Sequence, residues 1–261
     1  LKKIVLACLA GPLLGGLLLL GGCVSQTTIE SKLPDQASPS DPAFRAKVHT
    51  ERAGEYYRIG NYGVAIEAAQ QALAAVPGHA PAYNMLGVIY MQLKQDAKAG
   101  EAFEQAMKLS PNDSDVMHNY GWFICERRNP AQSMSYFQAA LKNPLYNSPE
   151  RALYHAGVCV RKTGDIAQAE ANFRAALQRQ PQFAAPMVDL SDLLLGLGRV
   201  KEAEMYLNRY MTIVQSAPAD ALLLGVRVAR AAGDKTAEAS YSQQLRRRFP
   251  DSPQTRAADS R

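Results

Sequence analysis

Apolar residues recur along this chain at helical spacing, and the spacing itself repeats. Between Ala80 and Pro111, the residues Tyr83, Leu86, Gly87 and Tyr90 fall on one stripe of a first helix. Ala99 and Phe103 lie one turn apart on a second helix, a small residue and a large one. Gly87 has no Cβ, so the second helix is expected to pack close to the first there. Pro111 cannot continue a helix and ends the unit. The small residue of the first helix returns as Ala53, Gly87, Gly121, Gly157, Ser191 and Gly225, at four intervals of 34 residues and one of 36. The second-helix pairs keep phase: Ala65 with Ala69, Ala99 with Phe103, Ser133 with Phe137, Ala169 with Phe173, Ala203 with Leu207, Ala237 with Tyr241. Six copies in phase, starting near Ala46, Ala80, Ser114, Glu150, Ala184 and Pro218, exclude accidental spacing in an ordinary helical protein. A pair of helices cannot bury its apolar face alone, so the copies must stack.

The order Tyr83-x2-Leu86-Gly87-x2-Tyr90, Ala99-x3-Phe103, Pro111 resembles the tetratricopeptide (TPR) repeat, with Tyr in place of the usual Trp. The resemblance implies an all-α fold over residues 44–250. Its form is a right-handed superhelical solenoid of six TPR helix-turn-helix repeats with a concave groove. Gly60-Asn61-Tyr62 reads as the turn inside repeat 1. Asn129-Pro130 reads as that of repeat 3, with Pro130 in the first helical turn, where its missing N–H costs little. The two-residue insertion falls in Asn143-Pro144-Leu145-Tyr146-Asn147-Ser148-Pro149, a longer connection between repeats 3 and 4. Ser240, Ser242, Gln243 and Gln244 read as the polar outer face of a capping repeat, and residues 251–261 as a disordered tail.

The chain opens Leu1-Lys2-Lys3, followed by an apolar run of 17 residues from Ile4 to Leu20. Charge followed by such a run reads as a secretory signal peptide. A membrane-spanning helix needs about 20 apolar residues, so length alone leaves an anchor open. The end of the run decides: Leu20-Gly21-Gly22-Cys23 resembles the bacterial lipobox, in which cleavage precedes the Cys and lipid is attached to it. Residues 1–22 are thus the expected signal and Cys23 the expected lipidation site. The resemblance implies an acylated Cys, and two chains already anchor stably at roughly 0.8 kcal/mol per buried methylene. Val24 stands where an inner-membrane lipoprotein usually has Asp, which implies the outer membrane. Residues 24–43, rich in Ser, Thr, Gln, Pro and Asp, read as a flexible tether. Twenty such residues span roughly 25 Å, which would hold the domain close beneath the membrane.

Charge adds little. The net charge is +5, and loss of residues 1–22 with Lys2 and Lys3 leaves +3, too weak to point to nucleic acid. Arg246-Arg247-Arg248 reads as a solvated helix end favoured by the helix dipole, with contact to anionic lipid or a partner as the alternative. His49, His79, His118 and His155 have no metal-ligand spacing with one another. No nucleophile elbow or phosphate loop is present, so no catalytic residue, metal or cofactor is assigned and the chain is not expected to be an enzyme.

If positions 4, 7, 8 and 11 of each first helix face the second, positions 5, 9 and 12 form the neighbouring stripe, which lines the concave surface in this fold. These are Asn84, Val88 and Met91 in repeat 2, His118, Trp122 and Cys125 in repeat 3, and Tyr154, Val158 and Arg161 in repeat 4. An apolar and aromatic groove with a few polar groups suits a peptide. The alternative is that Trp122 and Met91 pack between adjacent first helices. Of the four cysteines, Cys8 lies in the signal and Cys23 is the expected lipid site. Cys125 and Cys159 remain, on neighbouring first helices, where an oxidising periplasm allows a disulfide. The alternative is two small buried apolar side chains.

A lipoprotein signal, a short tether and six TPRs together resemble the type IV pilus biogenesis and stability lipoproteins, the PilF or PilW pilotin family. The segments that carry the likeness are Asn61-Tyr62-Gly63-Val64-Ala65, Asn84-Met85-Leu86-Gly87-Val88-Ile89-Tyr90, His118-Asn119-Tyr120-Gly121-Trp122-Phe123 and Cys125. A bare TPR consensus asks for no His, Asn or Trp at the third of these. Repeat 5 departs from the plain pattern at Ser191 and Tyr210. The resemblance implies a lipid-anchored, monomeric protein on the periplasmic face of the outer membrane. Its implied partner is the type IV pilus secretin, which it would help to reach the membrane and assemble its multimer. The other reading is an outer-membrane TPR lipoprotein that scaffolds or activates cell-wall enzymes.

Overall fold

The computed structural model describes residues 40–260, so the predicted signal, Cys23 and most of the tether lie outside the described residues. Twelve helices form six antiparallel pairs. Repeat 1 is α1 (Pro42–Arg58) with α2 (Tyr62–Ala75), and repeat 2 is α3 (Ala80–Gln92) with α4 (Asp96–Leu109). Repeat 3 is α5 (Ser114–Arg127) with α6 (Pro130–Leu141), and repeat 4 is α7 (Pro149–Lys162) with α8 (Ile166–Arg179). Repeat 5 is α9 (Ala184–Gly196) with α10 (Val200–Ile213), and repeat 6 is α11 (Ala219–Ala232) with α12 (Lys235–Arg248). A thirteenth helix, α13 (Pro253–Asp259), follows. This is the right-handed TPR solenoid.

Local chemistry starts and stops these helices. The side chains of Asn61, Asp113, Asn129, Asp165 and Asp234 accept from backbone N–H groups of the first turns of α2, α5, α6, α8 and α12. Prolines stand in the first turns of α1, α3, α6 and α7, where the missing N–H has no intrahelical partner to lose. The turn inside repeat 1 needs a left-handed residue, and Gly60 supplies it at φ +77°.

Pairing inside each repeat rests on one close contact. A Cβ on Gly87 would sit 2.6 Å from the ring carbons of Phe103, and one on Gly157 would meet Phe173 at the same distance. On Gly225 it would meet Tyr241 at 2.8 Å, and on Gly121 it would meet Tyr136 Cβ at 3.0 Å and Phe137 at 3.4 Å. Real Cβ atoms do not tolerate the shorter of these distances, so the rings fill the space that glycine leaves. Phe103, Phe137 and Phe173 are each fully buried, which contributes about 1.5–3 kcal/mol apiece. Repeat 1 scales the contact down with two buried alanines, Ala53 and Ala69. In repeat 5, Ser191 Oγ donates to the Ala203 carbonyl at 2.8 Å, which satisfies the hydroxyl inside the core.

Two boundaries differ from expectation. The first helix starts at Pro42, capped by Asp41, two residues before the predicted domain edge at 44. The predicted disordered tail is largely helix α13. Ser252 caps it, Pro253 opens it, and Thr255 Oγ1 donates to the Phe249 carbonyl at 2.6 Å. Ala258 joins the buried cluster of repeats 4–6, and Arg230 Nη2 donates to its carbonyl at 3.0 Å. The polar composition of 251–261 concealed one small apolar contact and a cap. The face of α12 that was read as solvent-facing is accordingly mixed: Ser242 is buried and Gln243 exposed. The Arg246–Arg248 cluster is partly tied down, Arg246 Nη1 to Asp259 at 2.7 Å and Arg248 Nη2 to the Ala217 carbonyl at 2.7 Å.

The glycine–ring contact predicts an asymmetry among glycines. Gly87→Ala should destabilise the domain by about 1–3 kcal/mol through overpacking against Phe103. Gly63→Ala on α2, where nothing lies within 4 Å, should be neutral or stabilising. Adding Phe103→Leu to Gly87→Ala should recover part of the loss. Thermal unfolding of the variants checks the order, and equal melting temperatures for the two alanine variants would contradict it.

Candidate functional site: the concave cleft of repeats 1–4

An open cleft of about 390 Å³ lies where the first helices of four repeats converge. Tyr57 comes from α1, Val88, Met91 and Gln92 from α3, Asn119, Trp122, Glu126 and Arg127 from α5, and Arg151 and His155 from α7. Phe103 of α4 lies beneath. Three of the predicted residues, Val88, Met91 and Trp122, therefore line one surface. Asn84 lines an adjoining depression with Val88 and Asn119, and Asn119 Nδ2 donates to Asn84 Oδ1 at 3.2 Å.

His118 does not line the groove. Only 2% exposed, it points into the seam between repeats 3 and 4. Its Nδ1 lies 2.7 Å from the Tyr146 hydroxyl, and its Nε2 lies 2.7 Å from His155 Nδ1. One proton sits in each of these gaps, whichever way the tautomers run. Burial pushes both histidines down from the usual value, His118 further lowered by His155 and His155 itself reaching about 3 with help from Arg151. The His155 ring stacks on Trp122 with centroids 4.2 Å apart and planes 17° from parallel. The chain Tyr146–His118–His155–Trp122 thus runs from the inserted connection to the cleft. Among the described residues, no group of three or more His, Cys, Asp or Glu side chains is placed to hold a metal ion.

Directly behind the stack, Cys125 and Cys159 form a disulfide with Cα atoms 5.8 Å apart. Cys125 is buried rather than groove-lining. It stands one turn from Trp122 on α5, and Cys159 one turn from His155 on α7. The bridge therefore joins the two helices that carry the stacked rings. Phe137 and Ala156 pack around it.

Further along, the predicted residues of repeat 4 are engaged within the chain. The Tyr154 hydroxyl donates to Asp189 Oδ2 at 2.8 Å. Arg161 Nη2 donates to Asp192 Oδ2 at 2.5 Å, and Arg227 Nη1 to Asp192 Oδ1 at 2.9 Å. Val158 packs against the buried cluster of repeats 4–6. These three positions do not line the cleft.

Counting each repeat from its predicted start explains both outcomes. Arg151 stands at position 2, Asn119 and His155 at 6, Val88 and Trp122 at 9, Tyr57 and Met91 at 12, Gln92 and Glu126 at 13. Positions 9 and 12 were foreseen, whereas 2, 6 and 13 were missed. Steps of four, three and four along a helix keep one face. That spacing, applied from position 2, would have found Arg151 and His155. Position 5 fails in repeat 3 because Tyr146 of the insertion covers it, and nothing in the repeat pattern signals that cover.

Known proteins share this architecture. The tetratricopeptide-repeat family model matches residues 50–114 and 126–182, and a second tetratricopeptide-repeat model matches 161–224. The chain is 27% identical to the type IV pilus assembly protein PilF of Pseudomonas aeruginosa over 199 residues, 76% of this chain and 78% of that one. It superposes on the crystal structure of PilW, a widely conserved type IV pilus biogenesis factor, with a TM-score of 0.74 and 36% identity. That match covers 81% of this chain and 97% of the PilW chain. A Pseudomonas aeruginosa PilF structure superposes with a TM-score of 0.75 over 83% of this chain and 97% of that one, at 24% identity, a likeness of fold.

Buried His118 and half-buried His155 give the domain an acid sensitivity with a definite sign. Unfolded rings take up protons as pH falls through about 6.5. Folded His155 resists until about 3. The stabilisation is therefore complete above about pH 6.5 and is lost on the way down toward 3, by at most about 1.4 kcal/mol per pH unit for each ring. Denaturation measured across this range should show His155→Gln losing less stability than the unaltered protein. Parallel curves would place the ring in solvent.

Proposed function

The chain belongs to the tetratricopeptide-repeat family of type IV pilus biogenesis proteins, and on that premise we propose that it is an outer-membrane lipoprotein pilotin. In this reading Cys23 carries the lipid and the protein remains on the periplasmic face. The cleft of repeats 1–4 holds a segment of the type IV pilus secretin and so promotes its localisation and multimer assembly. The observation that carries the reading is the cleft itself. Apolar Met91 and Val88, aromatic Trp122 and Tyr57, and amide-bearing Gln92 and Asn119 converge from three repeats on one open surface, with His155 of a fourth beside them. Apolar anchors beside unspent polar groups suit a peptide segment. The disulfide and the Trp122–His155 stack make that surface rigid, which lowers the ordering cost of binding. A lipid at Cys23 would place it beneath the membrane in which a secretin ring forms.

The anchor and the site are tested separately. Cys23→Ser should leave the protein soluble in the periplasm and without lipid. A Cys23→Ser protein that still sediments with the outer membrane would remove the assignment. Trp122→Ala should weaken secretin binding, since truncating a central Trp commonly costs about 2 kcal/mol or more, roughly thirtyfold in affinity. Fewer heat-stable secretin multimers should then be found in outer-membrane fractions. Circular dichroism must show a folded protein, because Trp122 also packs on His155. A gene deletion with normal multimers would sink the pilotin reading and favour the cell-wall scaffold.

A further inference from the structure

We propose that the cleft selects an extended partner segment carrying an acidic side chain, which meets Arg151, next to an apolar or aromatic side chain seated against Met91 and Trp122. The inference rests on the reading of this cleft as the partner-binding surface and adds the chemistry of what it takes.

Charge decides the first half. Three charged side chains border the cleft: Glu126, Arg127 and Arg151. Two of them are already neutralised within the chain. Glu126 accepts from Lys162 Nζ, and Arg127 Nε donates to Asp96 Oδ1 at 2.9 Å. Arg151 is exposed, and among the described residues its side chain makes no hydrogen bond or ion pair. Asp115, on the neighbouring α5, feels its field without pairing to it. His155, one turn along α7, adds no charge, being locked between His118 and Trp122. The cleft thus keeps one cation that no carboxylate pairs with, offset only through space by Asp115. A guanidinium stays charged at any physiological pH and matches a carboxylate with two parallel hydrogen bonds.

Geometry supplies the second half. Arg151 and His155 are four residues apart and share a face of α7. The guanidinium therefore borders the surface on which the His155–Trp122 stack stands. Met91 and Val88 line the same cleft from α3. The Asn84–Asn119 pair spends one amide donor and one acceptor on itself. It leaves the Asn84 Nδ2 amide free to donate and Asn119 Oδ1 free to accept, the two kinds of group that a backbone peptide unit pairs with. The concave face of repeats 4–6 offers no comparable choice, because Arg161 and Arg227 are both bound to Asp192.

The test uses the full-length lipoprotein in detergent, with Arg151→Gln and Arg151→Glu. Position 151 is exposed, so both variants should fold, as circular dichroism will verify. The probes are overlapping synthetic peptides covering the secretin of the same cell, plus a designed panel in which acidic, neutral or basic residues flank a Leu or Phe. The unaltered protein should bind secretin peptides that contain an acidic residue beside an apolar one. Replacing that acid with Lys should weaken binding by about tenfold or more, and Arg151→Glu should restore the Lys-bearing peptide. Secretin peptides that bind the unaltered protein and Arg151→Glu equally would overturn the inference and leave the secretin reading intact. Arg151-dependent binding of designed acidic peptides with no secretin peptide bound would uphold the chemistry and dismiss the secretin. Dimerisation abolished by Arg151→Glu would make the acidic segment that of a second copy, and would overturn the assignment to a partner.

Discussion

An aromatic ring seated where glycine leaves out a Cβ is the contact on which the solenoid depends. Helix pairs separate by the thickness of whatever lies between them. Gly87 with Phe103, Gly157 with Phe173 and Gly225 with Tyr241 reduce that thickness to a ring against bare backbone. Repeat 1 uses buried alanine on both sides, and repeat 5 uses Ser191, whose hydroxyl is absorbed by the Ala203 carbonyl. Because the small residue recurs at nearly constant intervals, each pair stacks on the last in the same pose. The first helices then stand side by side, and their positions 2, 6, 9 and 13 become neighbours across repeats. The groove is a consequence of that regularity rather than a separate feature.

The two halves of the solenoid use the regularity differently. Repeats 4–6 share one continuous buried cluster running from Val160 to Ala258, closed by α13. Repeats 1–3 are cored by several smaller clusters, rich in alanine at the N-terminal end. On the concave side the contrast is repeated. Tyr154, Asp189, Arg161, Asp192 and Arg227 pair among themselves, whereas the earlier repeats leave apolar, amide and cationic groups open. A surface whose polar groups are already paired gains little from a ligand, since binding only exchanges one partner for another. The disulfide and the stacked rings sit at the seam between the halves, so the open surface is braced against the more continuous one.

Much of this was legible in the residues because periodic constraints leave periodic traces. Gly87, Phe103 and their counterparts revealed the fold, since a small residue recurs at this close contact in all six repeats and faces an aromatic ring in four of them. Val88, Met91 and Trp122 were legible as groove residues for the same reason. The failures are aperiodic. Tyr146 belongs to a two-residue insertion, so no repeat predicts that it covers His118. The helix α13 departs from the repeat length, and its polar side chains hid the cap at Ser252 and the contact of Ala258. Arg151 was missed because a single exposed cation is common on any helix. It acquires meaning only once Glu126 and Arg127 are seen to be neutralised by Lys162 and Asp96.

The insertion shows how an exception to the repeat can shape the site. Two additional residues between α6 and α7 allow Tyr146 to fold back and bury itself against His118. A polar ring buried there needs partners for both nitrogens, since an unpaired one would cost about 1–3 kcal/mol. Tyr146 satisfies one and His155 the other. His155 is thereby fixed by a hydrogen bond on one side and by the Trp122 ring on the other. An apolar residue at 118 would fill the same space but would leave His155 Nδ1 without this partner and the ring held by Trp122 alone. A loop remote from the cleft thus fixes the orientation of an aromatic surface inside it. Burial keeps both rings uncharged, so that the residual charge of the cleft rests on Arg151.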